Sequence, residues 1–135
     1  MDVGLLSALI GIVAGALGYW FTTFSMQPIT RFRDLRNQVL MDFIYYAQVV
    51  NAKGLNDEMQ ALHRQRILAN RRVSAQLSAA IQDLPQWFLA FLRHKGHRPE
   101  EAARHLIGYS NTTDYEEALK LEDAIRRKLG LPKET

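Results

Sequence analysis

Hydrophobic and polar positions divide this chain into two parts with different patterns. From Val3 to Phe24, 22 residues carry no charge, and the uncharged run continues to Thr30. At 1.5 Å per residue a helix of that length covers roughly 33 Å, enough for a hydrocarbon core of about 30 Å. Only a helix satisfies its own backbone in lipid. The pattern predicts a transmembrane anchor over residues 1–28, with Tyr19, Trp20, Phe21 and Phe24 at the headgroup level of one leaflet. Pro28 is expected to limit how far the helix runs on. A cleaved signal peptide would need a basic start and a small-residue cleavage site, whereas Asp2 stands at the start and aromatics stand where Ala-x-Ala would be.

From Thr30 onward no stretch alternates as a strand would, and apolar residues recur at helical spacing. A first helix is expected from Arg31 to Asn51, with Phe32, Leu35, Val39, Phe43, Tyr46 and Val50 on one face. Lys53-Gly54-Leu55-Asn56 breaks it, and Asp57 is placed to cap a second helix running to Gln82. Met59, Leu62, Ala69, Val73, Leu77 and Leu84 define that helix's inner face. Pro85 suits the start of a short third helix ending before Gly96, and Pro99 that of a fourth ending at Gly108. Thr113 with Glu116 reads as a capping box for a fifth helix, which ends at Gly130. The fold class is therefore all-α: a single N-terminal transmembrane helix, then a helical hairpin and short helices forming a small cytoplasmic bundle over residues 29–135.

Charge sets the orientation. Mean hydropathy over the 135 residues is −0.19, an average that conceals the segregation, because all 17 Lys and Arg follow Thr30. Arg31, Arg33 and Arg36 lie just past the apolar run with only Asp34 against them. Basic residues stay on the cytoplasmic side, so the N-terminus is expected outside and the helical domain in the cytoplasm. The lack of cysteine excludes a disulfide-stapled fold.

Small residues form a seam on the apolar helix. Gly4, Ala8, Gly11, Gly15, Gly18, Thr22 and Ser25 recur at spacings of four and three, within an arc of roughly 100°. Leu6, Ile10, Val13, Leu17, Trp20 and Phe24 face the other way. Association inside lipid depends on close packing, and a seam poor in side chains permits it. The seam predicts a homo-oligomer. The alternatives are a larger membrane-protein partner, or a narrow pore lined by Thr22, Thr23 and Ser25. No ionisable residue marks an ion path.

Other residues weigh less. Residues 31–98 carry 11 basic and 5 acidic side chains. Arg31, Arg33 and Arg36, then Arg64, Arg71 and Arg72, then Arg93, Lys95 and Arg98 are candidates for contact with lipid or another anionic partner, since anionic membranes attract such clusters. Nucleic acid is not favoured, because no binding motif accompanies the charge. Arg66 falls on the inner face of the second helix and Asp42 at the edge of the first, so they are expected as a buried ion pair. Trp87-Phe88-Leu89-Ala90-Phe91-Leu92 is apolar nearly all round, either a helix closing the core or an interfacial helix beside the basic turn. His94, His97 and His105 lack companion ligands at metal spacing. No phosphate loop, nucleophile elbow or carboxylate pair appears, so neither a catalytic activity nor a cofactor is expected.

Arg33-Asp34-Leu35-Arg36, then Tyr45-Tyr46-Ala47, then Ile81 to Pro85, then Leu106-Ile107-Gly108-Tyr109-Ser110-Asn111 form an order of segments that resembles a family of small bacterial inner-membrane proteins of uncharacterised activity. Its members carry one N-terminal span and a helical cytoplasmic domain. Where they read Tyr-Tyr-Ala-Asn and Leu-Ile-Gly-Leu-Ser-Asn, this chain has Gln48 and Tyr109. The resemblance implies the topology and a bacterial inner-membrane location, and assigns no catalytic or binding residue.

Overall fold

The Asp2 carboxylate accepts from the Gly4 amide at 3.2 Å and so caps the first helix. A computed structural model describes residues 2–50 and 54–133, and among them the secondary structure is helical with no strand. Helix α1 (Val3–Phe21) continues through a π turn (Thr22–Met26) into α2 (Gln27–Tyr45), one rod of 43 residues. Pro28 thus does not stop the helix, contrary to the expectation above. A proline lacks its N–H and its ring clashes with the carbonyl four residues back. Here the Gln27 amide reaches back five residues to the Thr22 carbonyl, widening the turn where that ring must fit.

The π turn has a second effect. An extra residue in one turn rotates everything downstream by about 100°, one residue's share of an α-helical turn. In an uninterrupted helix Ile29 and Phe32 would share the bearing of Gly11 and Gly18. The π turn swings them away, so the face of α2 that packs inward differs from the face that carries the glycines.

Helix α2 ends at Tyr45, short of the expected Asn51, and a 3-10 turn (Ala47–Val49) follows. Asn51 and Lys53, the expected helix end and the start of the break, lie outside the described residues. The cap of α3 (Asp57–Gln82) is Asn56, whose side-chain oxygen accepts from the Met59 amide at 2.8 Å. Asp57, expected as the cap, sits in the first turn with Glu58, where both acids complement the helix dipole. His63 Nδ1 lies 2.9 Å from the Val49 carbonyl, and Arg72 and Val73 border one cleft with Asp42. Helix α3 therefore returns antiparallel along α2.

Helices α4 (Gln86–His94), α5 (Pro99–Asn111) and α6 (Tyr115–Leu129) complete the fold. Helix α5 packs between α3 and α6. Ala102 and Ala103, both buried, let it approach α3 closely enough for Ser74 Oγ to donate to the Ala103 carbonyl at 2.6 Å. Gly108 does not end α5. The helix runs three residues further, to Asn111, with Leu121 of α6 3.9 Å from where a Cβ on Gly108 would stand, an ordinary contact. The expected Thr113–Glu116 box is replaced by Asp114 at the cap, and the Thr112 hydroxyl accepts from the Asp114 amide and donates to the Glu117 carboxylate, each at 3.3 Å. Phe32, Val39, Phe43, Leu77, Leu106 and Ile125 form the centre of the core. Burying each such side chain stabilises by about 1.5–3 kcal/mol.

Gly130 ends α6 in the left-handed region at φ 70°, with the Leu131 amide bonded to the Arg126 carbonyl at 2.8 Å. A Cβ at this position would collide with the His97 imidazole. Gly130→Ala is expected to destabilise the helical domain by about 1–2 kcal/mol from backbone conformation alone, with the His97 collision adding to it. Chemical denaturation followed by circular dichroism would read this as a lower midpoint.

Candidate functional site

The apolar half of the rod is exposed along its whole length. Its 18 most apolar consecutive residues are long enough to cross a membrane, and none is buried. Along it Gly4, Ala8, Gly11, Gly15 and Gly18 are exposed. A Cβ at Gly11, Gly15 or Gly18 would meet no atom within 4 Å. Thr22 is exposed where the π turn begins. Ser25 departs from the expected seam, being only 7% exposed. Covering of the rod starts there and continues to Ile29 and Phe32, so Ser25 belongs to the chain's own packing.

The basic residues divide into two groups rather than one patch. Arg31 and Arg33 are exposed on the first turns of α2, and Arg36 is half-buried with no hydrogen-bond partner for Nε. Burial, helped by the charge of Arg33, pulls the Arg36 pKa down. Helix α4 reaches this stretch through Phe88, which meets Phe32 at 6.1 Å. At the turn between α4 and α5, Arg93 pairs with Glu100 at 3.1 Å, and Lys95 Nζ sits 4.9 Å from the Phe91 ring centroid. Arg98 is exposed, and its backbone amide donates to the Lys128 carbonyl at 2.9 Å. Arg64, Arg71 and Arg72 lie on α3 towards the far end of the hairpin, Arg71 donating to Asn111 Oδ1 at 2.6 Å.

Burial, then Lys95 and Arg36, push the His97 pKa below its ordinary 6.5, and its Nδ1 is buried without a partner. The folded state thus disfavours the imidazolium, and this contribution to stability is fully present above pH 6.5. It is lost progressively as pH falls from there through the lowered folded value. Thermal unfolding between pH 7.5 and 5 should show a falling midpoint, with a shallower fall in His97→Asn.

Asp42 and Arg66 do not pair. The Asp42 carboxylate accepts from Gln38 Nε2 at 2.9 Å and borders a cleft of about 440 Å³ between α2 and α3, shared with Asp34, Tyr46, Arg72 and Gln76. Burial pushes its pKa up, opposed by the Gln38 bond. Arg66 is fully buried and points to α5, where Nη2 donates to the Tyr109 carbonyl at 2.9 Å and the guanidinium stacks 4.3 Å from the Tyr109 ring centroid. Tyr109 meets Phe43 edge-on at 5.2 Å, and the Arg126 guanidinium lies over the Phe43 ring at 5.4 Å. Arg126 in turn pairs with Glu122 at 2.9 Å, with both side chains under 10% exposed, and donates to the Pro132 carbonyl at 2.8 Å. Two rings between two guanidiniums thus join α2, α3, α5 and α6.

Among the described residues no three His, Asp or Glu converge as metal ligands. The class that the fold defines is an all-α chain whose long apolar rod leads directly into a small helical domain. No family model matches the chain, and no curated protein or solved structure is significantly similar to it.

Proposed function

We propose that this chain is a non-enzymatic, single-pass inner-membrane protein that self-assembles through its glycine seam. The observation that carries the reading is the seam itself: Gly11, Gly15 and Gly18 stand on an exposed apolar helix with open space over each. Small residues at that spacing let two helices approach backbone to backbone in lipid, where packing rather than water drives association. Arg31 and Arg33, just past the apolar run, support a cytoplasmic side for the helical domain, because basic flanks are retained there. The rod is continuous into α2, so the domains gather as a collar beneath the spans and offer a surface for other proteins. The π turn supports this arrangement, because it directs the packed face of α2 away from the seam and leaves room for neighbouring spans.

Particle mass in lipid nanodiscs tests the proposal. A uniform multiple of the 15.5 kDa chain is expected. A monomer, or a chain recovered only with a different membrane protein, would overturn self-assembly. Rapid ion flux through liposomes holding the pure protein would point to a pore instead of a closed seam.

A further inference from the structure

Helix α4 keeps part of its apolar surface outside the core. Leu89 and Leu92 are buried and Phe88 meets Phe32 edge-on at 6.1 Å, yet Trp87 and Phe91 are 53% and 47% exposed. Trp87 and Phe91 both pack on Phe88, at 5.8 and 6.1 Å, so three rings form one aromatic edge. Its place in the fold is specific. Helix α3 runs back along α2, with His63 beside Val49 and Val73 level with Asp42, and α4 follows its end, which brings Phe88 to Phe32. Phe32 is eight residues past Phe24, roughly 12 Å along the rod. Covering of the rod begins at Ser25, immediately after Phe24. The aromatic edge therefore sits at the end of the domain where the fully exposed apolar helix begins.

We propose that this edge of α4, carrying Trp87 and Phe91 with Lys95 beside them, seats in the headgroup layer of an anionic bilayer as a second membrane contact. The inference rests on reading α1 as the span. Interfacial helices bury an apolar face about 5–10 Å into the boundary and hold cations at its margin, and Trp favours that depth. The charge matches: Arg31, Arg33, Lys95 and Arg98 stand at this end of the domain, with Asp34, Asp83, Glu100 and Glu101 as the nearby acids in the sequence, of which Glu100 pairs with Arg93 and Glu101 with Lys128. Lys95 over the Phe91 ring gives the edge a cationic margin directly. With the rod and α4 both held, the domain would lie in one fixed attitude beneath the membrane.

The chain has no cysteine, so single spin labels can be placed at Trp87→Cys and Phe91→Cys in the full-length protein. The reference positions are Leu9→Cys on the rod and Ile107→Cys, which is exposed on α5 beside Tyr109 and remote from this end. The labelled proteins go into phosphatidylcholine vesicles with and without phosphatidylglycerol, and collisions with oxygen and with a water-soluble nickel chelate are compared. Positions 87 and 91 should invert from nickel-dominated to oxygen-dominated collisions when the anionic lipid is present, and Lys95→Glu should weaken the inversion. Nickel-dominated collisions at both positions in both vesicle types, with Leu9 still in lipid, would overturn the proposal and leave the span intact. Insertion of equal depth without phosphatidylglycerol would overturn the anionic requirement. Exclusion of both reagents with spin–spin broadening would assign the edge to a second copy of the chain. A water-exposed Leu9 would end the span reading, and this proposal with it.

Discussion

Gly11→Leu or Gly15→Leu is expected to dissociate the assembly in lipid, lowering the association constant by at least about tenfold, or ~1.4 kcal/mol. Each substitution fills open space with a branched side chain where a neighbouring backbone would pass. In lipid nothing offsets the lost contacts, because a leucine is as well solvated by acyl chains as by another helix. Leu6→Ile on the opposite face changes shape without entering the seam and should leave particle mass unchanged. Crosslinking in membranes reads all three. Equal crosslinking of the three variants would show that the seam is not the contact.

Tyr109→Ala carries the largest expected effect on the helical domain, a loss of about 3–5 kcal/mol. Tyr109 is 1% exposed and its ring separates the Arg66 guanidinium from Phe43. Truncation leaves a cavity and removes the ring that Arg66 stacks on. Tyr109→Phe keeps both the ring and the backbone carbonyl that Arg66 uses, and a near-isosteric change of this kind should cost less than about 1.5 kcal/mol. Urea unfolding of the two variants in detergent, followed by circular dichroism, would separate them. Similar losses for both would place the stabilisation at the hydroxyl instead of the ring.

The helices were legible because burial in this domain follows helical spacing. Phe32, Val39 and Phe43 on α2, and Val73 and Leu77 on α3, are buried as their periodicity requires. The punctuation was harder to read. Pro28 is a helix breaker by local rules, but a π turn accommodates it, and nothing in a one-dimensional pattern distinguishes a stop from a widened turn. Gly108 has helix-ending chemistry, yet its backbone stays helical as α5 runs on to Asn111 beside α6, and that outcome appears only when the helices pack. Choosing between Asn56 and Asp57 as a cap turns on a single residue of register.

The charged core was misread for a related reason. Arg66 was correctly placed on an inward face, but the choice of Asp42 assumed that its partner lies on the adjacent helix of the hairpin. It meets α5 instead, 43 residues away in sequence. The Glu122–Arg126 pair does have a signature in the sequence: both positions fall on the same stripe as Ala118, Ile125 and Leu129, one turn apart, the spacing at which opposite charges can enter a core together. Of the seven small residues proposed as an assembly seam, Gly4 to Thr22 are exposed along the apolar helix, and Ser25 is buried in the chain's own packing, a contact that the spacing of small residues does not reveal.

The most direct measurement is a cysteine scan of residues 4–22 in native membranes, with disulfide crosslinking between chains read at each position; the parent chain has no cysteine to interfere. Crosslinking should peak at Gly4, Ala8, Gly11, Gly15 and Gly18 and fall to background at Leu6, Ile10, Val13 and Leu17. Uniform crosslinking around the helix, or maxima on the leucine face, would contradict assembly through the seam.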